Sequence, residues 1–221
     1  ISQRAMTPDI IEKIDEAGII AVLVIDELKH ALPLANALLA GGINTVELTL
    51  RTDAALDAAK IIKKELPQIN LGFGTVLTVD QVKAVVDLGA DFAVAPGCNP
   101  KVIAEAIKQG LSFAPGIMTP SDIELAVEQG CRILKYFPAE TSGGMEHLEN
   151  MVAPYGYLDL KFIPLGGCNM ENAASYLKSP LITAIGGSWI AKRQLIQSEK
   201  WDIITANAKE IRDFIINLRS K

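Results

Sequence analysis

The chain has 221 residues, is 49% hydrophobic and 21% charged, and carries a formal net charge of −5. That acidity lacks the basic footprint of a nucleic-acid binder, and no apolar run approaches the ~20 residues a membrane-crossing helix needs. The size suits a single domain over 1–221 with a large core.

Residues 1–6 are not expected to be a signal peptide, and the missing initiator methionine is compatible with trimming. The first expected element is a helix ahead of residue 19, opened by Thr7-Pro8-Asp9, a cap followed by a first-turn proline. Apolar runs follow at 19–25, 45–50, 70–74, 92–95, 111–114, 133–137, 161–164 and 182–185, separated by amphipathic stretches such as 54–66 and 79–88. Thr78 with Gln81 reads as a capping box, and Thr119-Pro120-Ser121 as another cap and proline. Gly18, Gly89, Gly110 and Gly130 fall where helices should stop. A last helix is expected over 201–218. Strand candidates alternating with helices predict an α/β fold, a single (β/α)8 TIM barrel with an extra N-terminal helix. An open doubly wound sheet alternates similarly, but Gly72-Phe-Gly74 lacks the third glycine of a dinucleotide-binding turn.

The residue that most directs a functional reading is Lys135, inside the apolar run Ile133-Leu-Lys-Tyr-Phe137. Burial disfavours an ammonium charge, so the amine is expected to shift toward its neutral, nucleophilic form. Glu47, Thr49 and Arg51 share one strand parity, while Val46, Leu48 and Leu50 hold the other, wholly apolar one. A carboxylate and a guanidinium would then face the interior near the strand's C-terminal end, where barrels carry their active sites. Glu47 opposes neutralisation of Lys135 and Arg51 favours it. The plainer readings are a structural Glu–Arg pair and a lysine paired to Glu47.

Two glycine pairs, Gly166-Gly167 and Gly186-Gly187, follow late strands and precede expected helices, a setting for phosphate binding with help from Ser188. Tight turns needing positive φ are the plainer explanation. Pro96, Pro115 and Pro138 mark strand ends and offer an apolar rim. Cys98, Cys131 and Cys168 are odd in number and widely spaced, which suits buried thiols in a reducing, cytoplasmic compartment. His30 and His147 stand in no metal-binding spacing, so a zinc-dependent mechanism is not expected.

Seven segments together resemble the bacterial 2-keto-3-deoxy-6-phosphogluconate (KDPG) and 4-hydroxy-2-oxoglutarate (KHG) aldolase family. They are Gly41-Gly-Ile-Asn-Thr-Val-Glu-Leu-Thr-Leu-Arg-Thr52, Gly72-Phe-Gly-Thr-Val76, Ala95-Pro-Gly97, Pro115-Gly-Ile117, Lys135-Tyr-Phe-Pro-Ala-Glu140, Gly166-Gly167 and Ile185-Gly-Gly-Ser-Trp189. The resemblance implies a homotrimeric class I aldolase of the Entner–Doudoroff pathway that needs no metal or organic cofactor. It gives Lys135 the imine and Glu47 the proton transfer. Arg51 and Thr75 would hold the keto-acid carboxylate. Gly166, Gly167, Gly187 and Ser188 would hold the phosphate of a keto-acid phosphate substrate, and Pro96, Pro115 and Phe137 would line the pocket. Two positions depart from the family pattern: Val24 stands where many relatives have arginine, and Leu165 where threonine is common. The departures leave room for the phosphogalactonate epimer or unphosphorylated 4-hydroxy-2-oxoglutarate as substrate. A metal-independent sugar-phosphate isomerase and a phosphate-binding barrel without activity are the remaining alternatives, and neither explains Lys135 together with Glu47.

Overall fold

Helices and parallel strands alternate through the computed structural model, which describes residues 5–220. The first four residues of the stretch read above as lacking a signal peptide lie outside that range. Helix α1 (Pro8–Ala17) leads into β1 (Ile19–Leu23), α2 (Ala31–Ala40), β2 (Thr45–Thr49), α3 (Ala55–Glu65), β3 (Asn70–Gly74), α4 (Val79–Asp87), β4 (Phe92–Val94), α5 (Pro100–Lys108) and β5 (Phe113–Ala114). There follow β6 (Gly116–Ile117), α6 (Pro120–Glu128), β7 (Ile133–Tyr136), α7 (Gly144–Val152), β8 (Lys161–Pro164), α8 (Ala173–Leu177), β9 (Ile185–Gly187), α9 (Arg193–Gln197) and α10 (Trp201–Arg219).

The strands form a six-stranded parallel sheet ordered β5-β4-β3-β2-β1-β9 and a three-stranded parallel sheet ordered β6-β7-β8. The sheets meet at two seams. At one, Pro115 separates β5 from β6; proline has no N–H to give a ladder. At the other, the Phe162–Ile182 bridge joins β8 to the segment entering β9, with Phe162 N–H donating to Leu181 O (2.8 Å) and Thr183 N–H to Phe162 O (3.1 Å).

Strand parity divides the core in two. Val46, Leu48, Leu134, Tyr136 and Phe162 belong to a large cluster shared with the helices. Ile20, Phe92, Val94, Ile133, Ile163 and Leu165 form a smaller one, joined by Met6 and by Ile10 and Ile14 of α1. The parities expected for β2 and β7 therefore hold. Helix α10 buries Ile204, Ala208, Ile211 and Ile215, one stripe at helical spacing. Each buried isoleucine contributes roughly 1.5–3 kcal/mol. The stripe is seated on α2, where Thr205 Oγ1 donates to Ala37 O at 3.0 Å.

Helix signals held, with one exception. Thr78 and Gln81 exchange both capping-box hydrogen bonds, and Thr119 caps α6 through Asp122. Thr7 is the cap residue of α1 but makes no capping bond; its backbone N–H donates to Ser112 Oγ at 3.1 Å. Two strand expectations need correction. The run 111–114 is extended only from Phe113, and strand pairing resumes beyond Pro115, so this proline interrupts a strand and does not end one. The run 182–185 enters the main sheet only at Ile185, and β9 continues through both glycines.

Candidate active site

Glu47 and Thr49 on β2, and Lys135 on β7, are buried, which for a lysine and a glutamate demands a partner. The two charges supply it: Lys135 Nζ lies 3.4 Å from Glu47 Oε1. The Glu47–Arg51 pair considered from the sequence does not form; the carboxylate faces the lysine. Glu47 Oε2 is buried without a protein partner. An orphaned carboxylate oxygen costs at least ~1–3 kcal/mol, which marks a position kept for chemistry more than for stability.

Glycine on the neighbouring strand makes room for this carboxylate. Glu47 pairs in register with Gly72, and a Cβ at Gly74 would overlap the Glu47 side chain. Directly after Gly74 the backbone of Thr75 takes φ +60°. That region is disfavoured for a β-branched residue and costs roughly 1–3 kcal/mol. On β7, the Lys135 backbone N–H donates to Pro115 O at 2.8 Å, fixing the strand that carries the amine. The Phe137 ring lies 5.4 Å from Lys135 Nζ.

One cavity of about 170 Å³ gathers most of the residues singled out in the sequence. Lys135, Glu47, Arg51, Thr75 and Pro96 line it, with Phe137, Gly166, Gly167 and Ser188. Pro115 and Gly187 do not. Pro115 acts from behind, through its carbonyl. Gly187 lies in β9 beneath the Trp189 ring, and its neighbour Gly186 reaches the cavity. Val22, Thr49, Leu165, Cys168 and Gly186 complete the wall; of these, Val22 and Cys168 had not been singled out for the site from the sequence. Thr49 shares the parity of Glu47, Leu165 stands where the family commonly has threonine, and Gly186 belongs to the second glycine pair; Val22 and Cys168 carry no chemical signal in the sequence. A slightly larger cavity, about 220 Å³, opens at the opposite ends of β2 and β3 beside Asn70, but it contains none of the flagged residues.

The two glycine pairs have different uses. Gly166 and Gly167 adopt φ +94° and +86°, so the turn is open only to glycine at low cost. Their carbonyls are engaged, Gly166 O by Glu140 N–H (3.0 Å) and Gly167 O by Asn172 Nδ2 (3.0 Å). Their own N–H groups find no acceptor among the described residues. Free backbone donors at a cavity wall suit an anion. Gly186 and Gly187 are extended and paired to Ile20 and Ala21, so the expected second turn is absent. Cys168 beside the turn is held as a neutral thiol, pushed up to about 12 by burial.

A family model described as KDPG and KHG aldolase matches residues 10–207. The chain belongs to the KDPG and KHG aldolase family. Among relatives, a 2-dehydro-3-deoxy-phosphogluconate aldolase of Haemophilus influenzae is 39% identical over 209 residues, 95% of this chain and 98% of that protein. The KHG/KDPG aldolase of Escherichia coli K12 is 37% identical, over 87% of this chain and 89% of its own length. A crystal structure of KDPG aldolase from Legionella pneumophila, with pyruvate captured at low pH as a covalent carbinolamine intermediate, superposes with a TM-score of 0.86 at 35% identity, covering 91% of this chain and 97% of that one. Within the KDPG and KHG aldolase fold, the buried Lys135–Glu47 pair lies in the same cavity as the anion-ready turn.

Proposed function

We propose that this chain is a metal-independent class I aldolase that reversibly cleaves 2-keto-3-deoxy-6-phosphogluconate to pyruvate and glyceraldehyde 3-phosphate. The observation that carries the reading is a buried lysine 3.4 Å from a buried carboxylate at the wall of a cavity. A covalent pyruvate adduct in a relative of the same fold supports it.

Lys135 attacks the C2 ketone and forms an imine as water leaves. The cationic imine then takes up the electron pair of the C3–C4 bond. Glu47 accepts the C4 hydroxyl proton as that bond breaks, through Oε2, the oxygen without a protein partner. Glyceraldehyde 3-phosphate departs; protonation of the enamine gives imine-bound pyruvate, and hydrolysis frees it. Arg51 and Thr75 hold the carboxylate. The Gly166–Gly167 turn and Ser188 hold the phosphate, while Pro96 and Phe137 shape the pocket. The reaction needs no metal or organic cofactor.

The same reading takes 1–221 as one domain whose two sheets close as a (β/α)8 barrel around the smaller core cluster, with α1 as the extra helix. Hydrogen bonds at both seams support closure. We further propose a cytoplasmic homotrimer acting in the Entner–Doudoroff pathway. Among the described residues no helix is long and apolar enough to cross a membrane. A second reading, cleavage of the phosphogalactonate epimer or of 4-hydroxy-2-oxoglutarate, is favoured by one observation: apolar Leu165 lines the cavity.

Two assays test these readings. Borohydride reduction with pyruvate is expected to add a reduced pyruvyl group to the Lys135 peptide. An adduct on another lysine, or one that survives in Lys135→Ala, overturns the assignment. Cleavage of both phosphorylated epimers and of 4-hydroxy-2-oxoglutarate, compared by kcat/KM, is expected to rank the gluconate first; another order selects the second reading.

A further inference from the structure

A second recess, about 270 Å³, borders the catalytic cavity and shares Val22, Arg51 and Ser188 with it. Its remaining lining is Val24, Ala191, Lys192 and Arg193. The cations here differ in their commitments. Arg193 is tied to Asp26 by two hydrogen bonds, Nε at 2.8 Å and Nη2 at 2.5 Å. That guanidinium holds the Asp26 carboxyl below its ordinary value, so the pair is charged and mutually cancelled. Lys192 is exposed and pairs with no carboxylate among the described residues. Val24 and Ala191 give the recess an apolar floor, so an anion there gains nothing from them.

Arg51 is assigned above to the keto-acid carboxylate. The cation left for the substrate's other charged end is Lys192, four residues after Ser188, a residue that lines both spaces. We propose that Lys192 is a specificity-determining residue that binds the distal phosphate of the substrate, extending the site across Ser188 into the second recess. The proposal rests on the aldolase reading and adds to it the residue that sets phosphate dependence. A lysine can do this as a mobile point charge, without the fixed fork of an arginine.

The test compares the parent protein with Lys192→Met and Lys192→Arg. KDPG cleavage, inhibition by inorganic phosphate and exchange of pyruvate methyl protons in heavy water are measured for each. We expect Lys192→Met to raise KM for KDPG about tenfold and to weaken phosphate inhibition to a similar degree, as loss of one charge-assisted contact does. Its kcat should stay within about twofold and its pyruvate exchange unchanged, with Lys192→Arg restoring most of the affinity. An unchanged KM overturns the proposal. So does an equal rise in KM for pyruvate, which would place Lys192 at the carboxylate end. A parent protein that neither cleaves KDPG nor exchanges pyruvate protons would sink the aldolase reading itself.

Discussion

Part of the catalytic cavity wall comes from β2 and the end of β3 and bears Glu47, Thr49, Arg51 and Thr75; the part from β1, β7 and β8 bears Val22, Phe137 and Leu165. The polar stretch depends on exact space: Gly74 leaves room for one carboxylate position, and Thr75 is held in an unfavourable backbone region beside it. On the apolar stretch Gly186 makes similar room for Leu165, but what is accommodated there is hydrocarbon. It contributes shape and a low dielectric around Lys135, but few groups able to tell one hydroxyl configuration from another. Chemistry is therefore concentrated on one stretch and tolerance on the other. Substitutions on the polar stretch should cost rate, and those on the apolar stretch should change preference.

Lys135 lies where the two stretches meet, and its loss should be the most damaging change. Lys135→Met removes the nucleophile, and turnover should fall on the order of 10⁴-fold. It also leaves Glu47 as an unpaired buried carboxylate, a loss of roughly 3–5 kcal/mol in denaturant unfolding. Adding Glu47→Gln should recover much of that stability and none of the activity. If Lys135→Met alone unfolds at the parent midpoint, the pair is not the buried contact described here.

The polar stretch can be broken without touching its charges. Gly74→Ala places a methyl group where the Glu47 side chain lies, forcing the carboxylate out of position. Pyruvate should still be trapped by borohydride, because Lys135 is untouched. Exchange of pyruvate methyl protons should slow about 10²-fold, the usual worth of a positioned general base. Glu47→Gln should give the same split. Parent-like exchange in Gly74→Ala would mean that the position of this carboxylate does not limit proton transfer.

The same contrast explains what the sequence made legible. Period-2 alternation identified β2 and β7, because one parity is wholly apolar and the other carries Glu47, Thr49, Arg51 or Lys135. Caps were readable wherever a side chain and its partner lie three residues apart, as with Thr78 and Gln81. Long-range packing was not. Nothing local distinguishes Gly166-Gly167, which turns, from Gly186-Gly187, which stays extended in its ladder with Ile20 and Ala21 and is glycine because Leu165 and the Trp189 ring pack where its Cβ atoms would be. Pro115 resembled a strand end because the missing N–H is visible in the sequence, while the use of its carbonyl by Lys135 is set by register with β7. Val22 and Cys168 reach the cavity through position alone.

The apolar stretch can be altered at Leu165. Leu165→Thr offers a hydroxyl where this chain has a branched hydrocarbon, and should raise preference for the gluconate over the galactonate epimer. One hydrogen bond contributes about 0.5–1.5 kcal/mol, so the ratio of kcat/KM values should change severalfold to about tenfold. The ratio is the right quantity, since affinity for both epimers could rise together. An unchanged ratio in a folded variant would assign selectivity to the polar stretch.

Cys168 should give the smallest effect, read in alkaline stability. Burial pushes its thiol from the ordinary 9.0 up to about 12, and Cys131 is raised to about 12 by the same cause. Between those limits the unfolded chain loses the thiol proton while the native chain keeps it. The native state then binds more protons, so stability is fully present below pH 9 and declines as pH rises toward 12. Each thiol contributes at most about 1.4 kcal/mol per pH unit to that decline. Cys168→Ala should make the fall in urea midpoint between pH 8.5 and 10.5 shallower. In the native protein at pH 8 a thiol reagent should label Cys168 far more slowly than in urea. Rapid native labelling would show that this part of the wall is wet, and the low-dielectric setting invoked for Lys135 would fail with it.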